Sequence, residues 1–188
     1  MGPRVSEMQV TGATARADED ISLVSRAAVG DRGAYEHLLA PRVDRILRTA
    51  RGILGNDAEA HDAAQDVLVA AWVNLPRLRD PSRFDAWLHR MLVNRCREGL
   101  RQRRRSREIR EDADAPLADF AGGSVETASV KAAFGRLTVD QRTILLLHHL
   151  HGLPVDELAR QLGVPVGTAK SRLWHARRSL ERALEAEA

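Results

Sequence analysis

Cysteine is almost missing: Cys96 stands alone among 188 residues. That excludes an internal disulfide and a cysteine-built zinc site. Long apolar runs are missing as well, so the sequence predicts no membrane insertion. Residues 1–19 lack the apolar stretch of a signal peptide and read as a disordered lead-in, which points to a cytoplasmic protein. There is no glycine-rich phosphate loop and no Ser/His/Asp arrangement in convincing context. The sequence therefore predicts no catalytic residue, no cofactor and no small-molecule substrate, and it reads as a non-enzyme. Histidines at 148, 149 and 151 are spaced by one and two on a helix, so they point apart and do not converge on a metal. Lysine is scarce too. Only Lys131 and Lys170 accompany 27 arginines, and guanidinium carries nearly all of the +3 net charge.

What is present is unevenly distributed. Residues 1–19 sum to −1, 20–105 to +5, 106–126 to −4 and 127–188 to +3. Two basic blocks around an acidic one suggest two modules on a linker, each able to face a polyanion. At 44% hydrophobic residues the chain can build one ordinary core or two small ones.

Periodicity is helical nearly throughout, and no stretch alternates like a strand. A short helix runs from Asp20 to Val29, closed by Gly30, and a second covers about 34–40. Pro41 opens a third that Gly55 closes. Asn56 or Asp57 caps a helix whose inner stripe is Ala64, Val67, Leu68, Ala71, Trp72 and Leu75. Ser82 caps a long helix with Phe84, Trp87, Leu88, Met91, Leu92 and Cys96 inside. Residues 106–124 are too polar to bury much and form the predicted linker. Beyond it, Thr138 and Gln141 make a capping box for a helix reaching Gly152.

The last two helices, 155–162 and about 166–185, flank a Gly163-Val164-Pro165 turn, which is the layout of a helix-turn-helix. At 100° per residue, Val166, Ala169, Leu173, Ala176 and Leu180 share one narrow sector, the predicted core side. Ser171, Trp174, His175, Arg178 and Arg182 lie opposite, with Lys170 and Arg172 on the flanks. A tryptophan amid cations and a small hydroxyl suits a helix that lies on duplex DNA, contacting phosphates and base edges.

The first module holds a second signal. Between Gly52 and Pro76 there is no cation but there are four acids, Asp57, Glu59, Asp62 and Asp66. Asp62, Gln65 and Asp66 sit within one turn, off the core stripe. Residues 77–107 then carry eleven arginines against three acids. One acidic and one basic surface could serve a basic protein partner and a nucleic acid.

At these residues the chain resembles a family. The run Asp62-Ala-Ala-Gln65-Asp66-Val-Leu-Val-Ala-Ala-Trp72 is similar to the polymerase-binding segment of extracytoplasmic-function sigma factors, of the sigma-70 family. Phe84-x-x-Trp87-Leu88 with Asn94 resembles their −10 recognition helix. Leu137-Thr-x-x-Gln141-Arg142, Asp156-Glu157-Leu158-Ala159 and Gly167-Thr168-x-Lys170-Ser171-Arg172-Leu173 resemble their C-terminal module. The matches span roughly residues 20–184 in family order.

The resemblance implies an all-α protein of two small helical domains joined by a flexible acidic linker. Region 2 would occupy residues 20–105, the linker 106–124 and region 4 residues 125–188. It implies that core RNA polymerase is the partner, through the β′ clamp helices and the β subunit, with Asp62, Gln65 and Asp66 on the clamp. It assigns Leu78, Arg79, Arg83, Arg90, Asn94, Arg97 and Arg101 to melted −10 promoter DNA. Thr168, Lys170, Ser171, Arg172, Trp174, His175 and Arg178 fall to the −35 duplex. The family also makes an anti-sigma protein an expected partner. Two positions depart from the common pattern: Leu68 stands where many relatives carry an aromatic, and His175 where an arginine is common. A stand-alone helix-turn-helix regulator is the rival reading, yet it leaves the acidic stripe and the arginine-rich helix unexplained.

Overall fold

The computed structural model describes residues 5–110 and 125–186, and side chains within 17–105 and 129–186. All regular structure among the described residues is helical. The first unit comprises α1 (Val5–Ala28), α2 (Arg32–Leu39), α3 (Val43–Leu54), α4 (Asp57–Asn74) and α5 (Phe84–Arg110), with two 3-10 turns between α4 and α5. The second comprises α6 (Val125–Gly135), α7 (Val139–Leu145), α8 (Val155–Leu162) and α9 (Val166–Glu185). A π-helical turn, Leu146–Leu150, follows α7 directly.

The boundaries are set by local chemistry. Asp31 and Asn56 accept the backbone N–H groups of Ala34 and Glu59, each at 2.9 Å, and so start α2 and α4. Thr138 and Gln141 form the reciprocal capping box expected for α7. Gly55 and Gly163 end α3 and α8 at φ of 65° and 67°, a left-handed conformation that costs a glycine little.

Packing of the first unit centres on Leu38, Ile46, Ile53, Leu54, Val67, Leu75, Leu88 and Leu92, all buried. Arg42 ties its helices together. Its guanidinium donates to Asp85 and Asp20 at 2.6 Å and to the Leu38 carbonyl at 2.6 Å, and it lies 5.5 Å from the Phe84 ring centre. Burial pushes the Asp85 carboxyl upward, but Arg42 outweighs it and holds Asp85 below the ordinary carboxylate value. In the second unit Ile144, Leu158, Leu173 and Ala176 build the core beneath the helix-turn-helix.

Several local expectations are corrected. Helix α1 begins at Val5, in place of the disordered lead-in expected up to residue 19. Residues 5–19 contain no proline, so a helix anchored by the buried Val24 and Ala27 can extend backward at little cost. Asp80, not Ser82, makes the cap before α5, accepting from the Ser82 backbone at 3.0 Å. Pro41 precedes α3 in a turn and does not open it. Val166, assigned to the core side of α9, is 44% exposed, because the first turn of α9 overhangs the core. Helix α5 continues to Arg110, five residues into the segment expected to be linker. The rest of the segment expected to form a flexible acidic linker, 111–124, lies outside the described residues.

The two units touch. Helix α3 packs on α7 and on the π-helical turn, and α5 meets α8. A Cβ added at Gly52 of α3 would lie 2.7 Å from a Leu146 methyl. No local pattern announces this junction, because it joins residues about a hundred positions apart.

Candidate polymerase and promoter interfaces

The alanine-rich stripe of α4 (Ala60, Ala63, Ala64, Val67 and Ala71) is buried against α3 and α5. Small side chains let the helices approach closely, and the stripe fixes which face of α4 looks outward. That outward face carries Asp62, Gln65 and Asp66, all exposed. Asp66 is not isolated, since Arg95 of α5 reaches it at 2.6 Å. Farther along the same face Val69 and Val73 are 59% and 65% exposed. Beside them runs a groove of about 580 Å³ lined by Tyr35, Leu39, Val43, Leu68 and Trp72 among others. Tyr35 donates its hydroxyl to the Leu68 carbonyl at 2.5 Å and packs its ring 4.9 Å from that of Trp72. Sequence reasoning found the acids but missed the apolar groove. The available signal was Val69 and Val73, large apolar residues recurring four apart outside the core stripe.

Helix α5 sorts its cations by face. Arg83, just before it, and Arg90 and Arg97 within it are spaced by seven and so share one side. That side faces the second unit. Arg83 pairs with Glu157 at 3.0 Å, Arg90 donates to the Arg160 carbonyl at 3.3 Å, and Arg97 reaches Asp140 at 3.1 Å. Gln161 donates to the Ala86 carbonyl at 3.1 Å across the same junction. Arg79, Asn94 and Arg101 are exposed, and Leu78 is half-buried. Arg103 pairs with Glu59, so it braces α4 against α5. The seven residues assigned to −10 DNA are therefore split: three are engaged with the second unit, three are open to solvent and one packs partly inside.

Helix α9 is simpler. Ala169, Leu173, Ala176 and Ala183 are buried, while Lys170, Ser171, Arg172, Trp174, His175 and Arg178 are exposed. Thr168 is half-buried and its carbonyl accepts from the Ser171 hydroxyl at 3.0 Å. Trp174, 56% exposed, meets the His175 ring edge-on at 4.8 Å, and the Arg178 guanidinium lies 5.6 Å from the Trp174 ring centre. These contacts hold an aromatic and a cation side by side without burying either. The surface is ready for a polyanion and needs no rearrangement to present it.

The histidines at 148–151 point three ways. His148 bonds the Leu153 carbonyl, His149 accepts from Arg177, and His151 turns into the junction with α3. Cys96 is buried, and burial pushes its thiol up to about 12, the state of a core residue. No described helix is long and apolar enough to cross a membrane.

Comparison with known proteins agrees with this geometry. Residues 38–106 match the sequence model of Sigma-70 region 2, and residues 127–180 match that of Sigma-70, region 4. The ECF RNA polymerase sigma factor SigM of Mycobacterium tuberculosis is 34% identical over 166 residues, covering 88% of this chain and 84% of that one. The RNA polymerase sigma-H factor of Pseudomonas aeruginosa is 30% identical over 183 residues, covering 89% and 95%. Among solved structures, CnrH in complex with the cytosolic domain of CnrY superposes with a TM-score of 0.70 at 30% identity, covering 90% of this chain and 99% of that one. The sigma factor RpoE of Bartonella quintana, in complex with the anti-sigma factor NepR, gives 0.66 at 26% identity, covering 82% and 98%.

A region 2 module followed by a region 4 module defines an RNA polymerase sigma factor. The chain belongs to the extracytoplasmic-function group of the sigma-70 family, and it is an alternative sigma factor that directs promoter-specific transcription initiation. The region 2 match over residues 38–106 removes the stand-alone helix-turn-helix regulator.

Proposed function

We propose that the three surfaces divide the work of initiation. The exposed Asp62, Gln65 and Asp66 of α4 grip the β′ clamp helices of core polymerase, and the apolar groove beside them extends that contact. Leu78, Arg79, Arg83, Arg90, Asn94, Arg97 and Arg101 capture the melted −10 strand, with arginines on the backbone and flipped bases held near the loop before α5. Thr168, Lys170, Ser171, Arg172, Trp174, His175 and Arg178 read the −35 duplex. The observation that carries this reading is the face separation on α9: a buried Ala169–Leu173–Ala176 stripe opposite an open row of cations, hydroxyl and indole.

The protein performs no catalysis of its own and works in the cytoplasm with core polymerase and promoter DNA. An anti-sigma protein is its regulator. In support, the similar RpoE chain is bound to the anti-sigma factor NepR, and the similar CnrH chain to the cytosolic domain of CnrY. Phosphate contacts make promoter affinity fall steeply with salt.

The −10 assignment predicts a separable defect. Asn94→Ala and Arg90→Ala should impair promoter opening while core polymerase binds as before, because neither residue lies on the acidic face of α4. A pre-melted promoter template should restore transcription by both variants. If pre-melting restores neither, and affinity for core polymerase drops in parallel, α5 is not the strand-capturing helix.

A further inference from the structure

Two histidines meet at the junction between the two units, their rings tilted 56° to one another. His89 of α5 is 6% exposed, and its ring centre lies 3.8 Å from that of His151, which follows the π-helical turn. The turn places it there: the His151 N–H bonds the Leu146 carbonyl at 3.2 Å, five residues back, and the extra residue swings the ring toward α3. Thr49 Oγ1 donates to the Arg45 carbonyl at 2.7 Å and lies 2.6 Å from His151 Nε2. The single hydroxyl proton is thereby used, so His151 Nε2 donates and its Nδ1 is a bare lone pair. That Nδ1 and His89 Nδ1 are both buried without a partner.

The other described buried side-chain atoms in that condition belong to Arg142 and Gln161. Gln161 spans the same junction, and Arg142 of α7 lies near enough to Arg103 of α5 to feel its charge. Buried groups left unpaired weaken an interface. This one is a junction of unsatisfied polar atoms, closed over Arg83, Arg90 and Arg97.

We propose that the His89–His151 pair is a proton-operated latch: neutral, it holds the two helical units together; protonated, it releases them and bares the arginine face of α5. A proton added to His151 Nδ1 finds no acceptor, and it arrives among cations. Arg45 and Arg48 of α3 and Arg42 before it face the pair, against one carboxylate, Asp85 of α5, already held by Arg42. The polar groups that α8 brings to the junction, Glu157, Arg160 and Gln161, are engaged with Arg83, Asp156 and Ala86. On its own element His148 is bonded to Leu153.

Burial, with the neighbouring arginines, depresses His89 to about 4 and His151 to about 3 from the ordinary 6.5. Both groups are depressed in the closed state, so closure is fully favoured above 6.5 and is lost as pH falls below it. The open form then takes up as many as two protons more than the closed form. Between pH 7.5 and 5.5 the opening equilibrium should rise about 100-fold, from two independent histidines of ordinary pKa in the open form.

The test is single-molecule energy transfer between dyes on cysteines introduced at exposed Val29 and Val166, with circular dichroism confirming that the helices persist. The unmodified junction should be closed at pH 7.5 and open at pH 5.5. His89→Gln with His151→Gln should show one distance distribution at both pH values. Gly52→Leu, which drives a side chain into Leu146, should be open at both and so supply the open distance without touching a histidine. A closed junction at pH 5.5, or an equal pH response in the double glutamine variant, would overturn the latch. Its link to DNA rests on the −10 assignment and is read separately, by anisotropy of a labelled single-stranded −10 oligonucleotide. If distances open but oligonucleotide affinity does not follow, the arginine assignment fails and the latch stands.

Discussion

Asp62→Arg combined with Asp66→Arg should abolish measurable binding to core polymerase if α4 is the clamp contact proposed above. Both side chains are exposed on the outer face of α4, and the buried alanine stripe that positions the helix is untouched. In the proposed contact, two carboxylates opposite a basic surface would become two guanidiniums opposite it. Placing like charges against a partner costs several kcal/mol, about 100- to 1,000-fold in Kd. Folding should survive. Within the chain the double substitution breaks the Asp66–Arg95 ion pair, whose side chains are 53% and 34% exposed. A partly exposed pair of this kind contributes less than about 1 kcal/mol. The two effects are separable by measuring thermal unfolding alongside affinity for core polymerase. An unchanged affinity removes α4 as the clamp contact, and a collapsed melting transition would mean the acids are structural.

Helix α9, proposed to read the −35 duplex, should yield a change of kind as well as of degree. Lys170, His175 and Arg178 are exposed, so truncating each changes stability by about 0.5 kcal/mol or less. Losing a base-edge hydrogen bond costs about 1–3 kcal/mol and relaxes preference at one position. Losing a phosphate partner weakens every sequence alike and lowers the salt slope by about one unit. Lys170→Ala and His175→Ala should therefore alter which −35 sequences are used. Arg178→Ala should reduce use of all of them, as the loss of a phosphate contact would; its guanidinium lies over Trp174 and 3.4 Å from Glu181. A promoter library read out for each variant distinguishes the outcomes. If all three keep the parental profile and strength, α9 does not read DNA.

These two surfaces are legible in the sequence for a physical reason. Each lies on one helix, and a helix states its buried face through spacing of three and four. The capping box at Thr138 and Gln141 and the left-handed Gly55 and Gly163 are equally legible, since a cap is decided within four residues. What stays concealed is long-range. His89 lies outside the inner stripe expected for α5, and it is buried where α5 meets the segment after α7. His151 depends on a π-helical turn that no spacing rule announces. Arg142, 2% exposed with Nε and Nη1 unpaired, is where an arginine would be least expected, and only packing places it there. The overhang of Val166 and the backward extension of α1 are end effects, which periodicity cannot register.

The division of labour has a simple consequence for Arg83, Arg90 and Arg97. Paired with Glu157, the Arg160 carbonyl and Asp140 they are not free to hold promoter strand, so under the proposed −10 assignment the units must separate first. The acidic face of α4 remains exposed while the junction is closed.

The most direct measurement is run-off transcription by purified core polymerase on a library of promoter fragments, with this protein or the Asp62→Arg/Asp66→Arg variant added as the sole initiation factor. Discrete start sites should appear only with the unmodified protein and share a −35 and a −10 element. Equal transcription with the variant, or identical starts by core polymerase alone, would contradict the assignment of these surfaces.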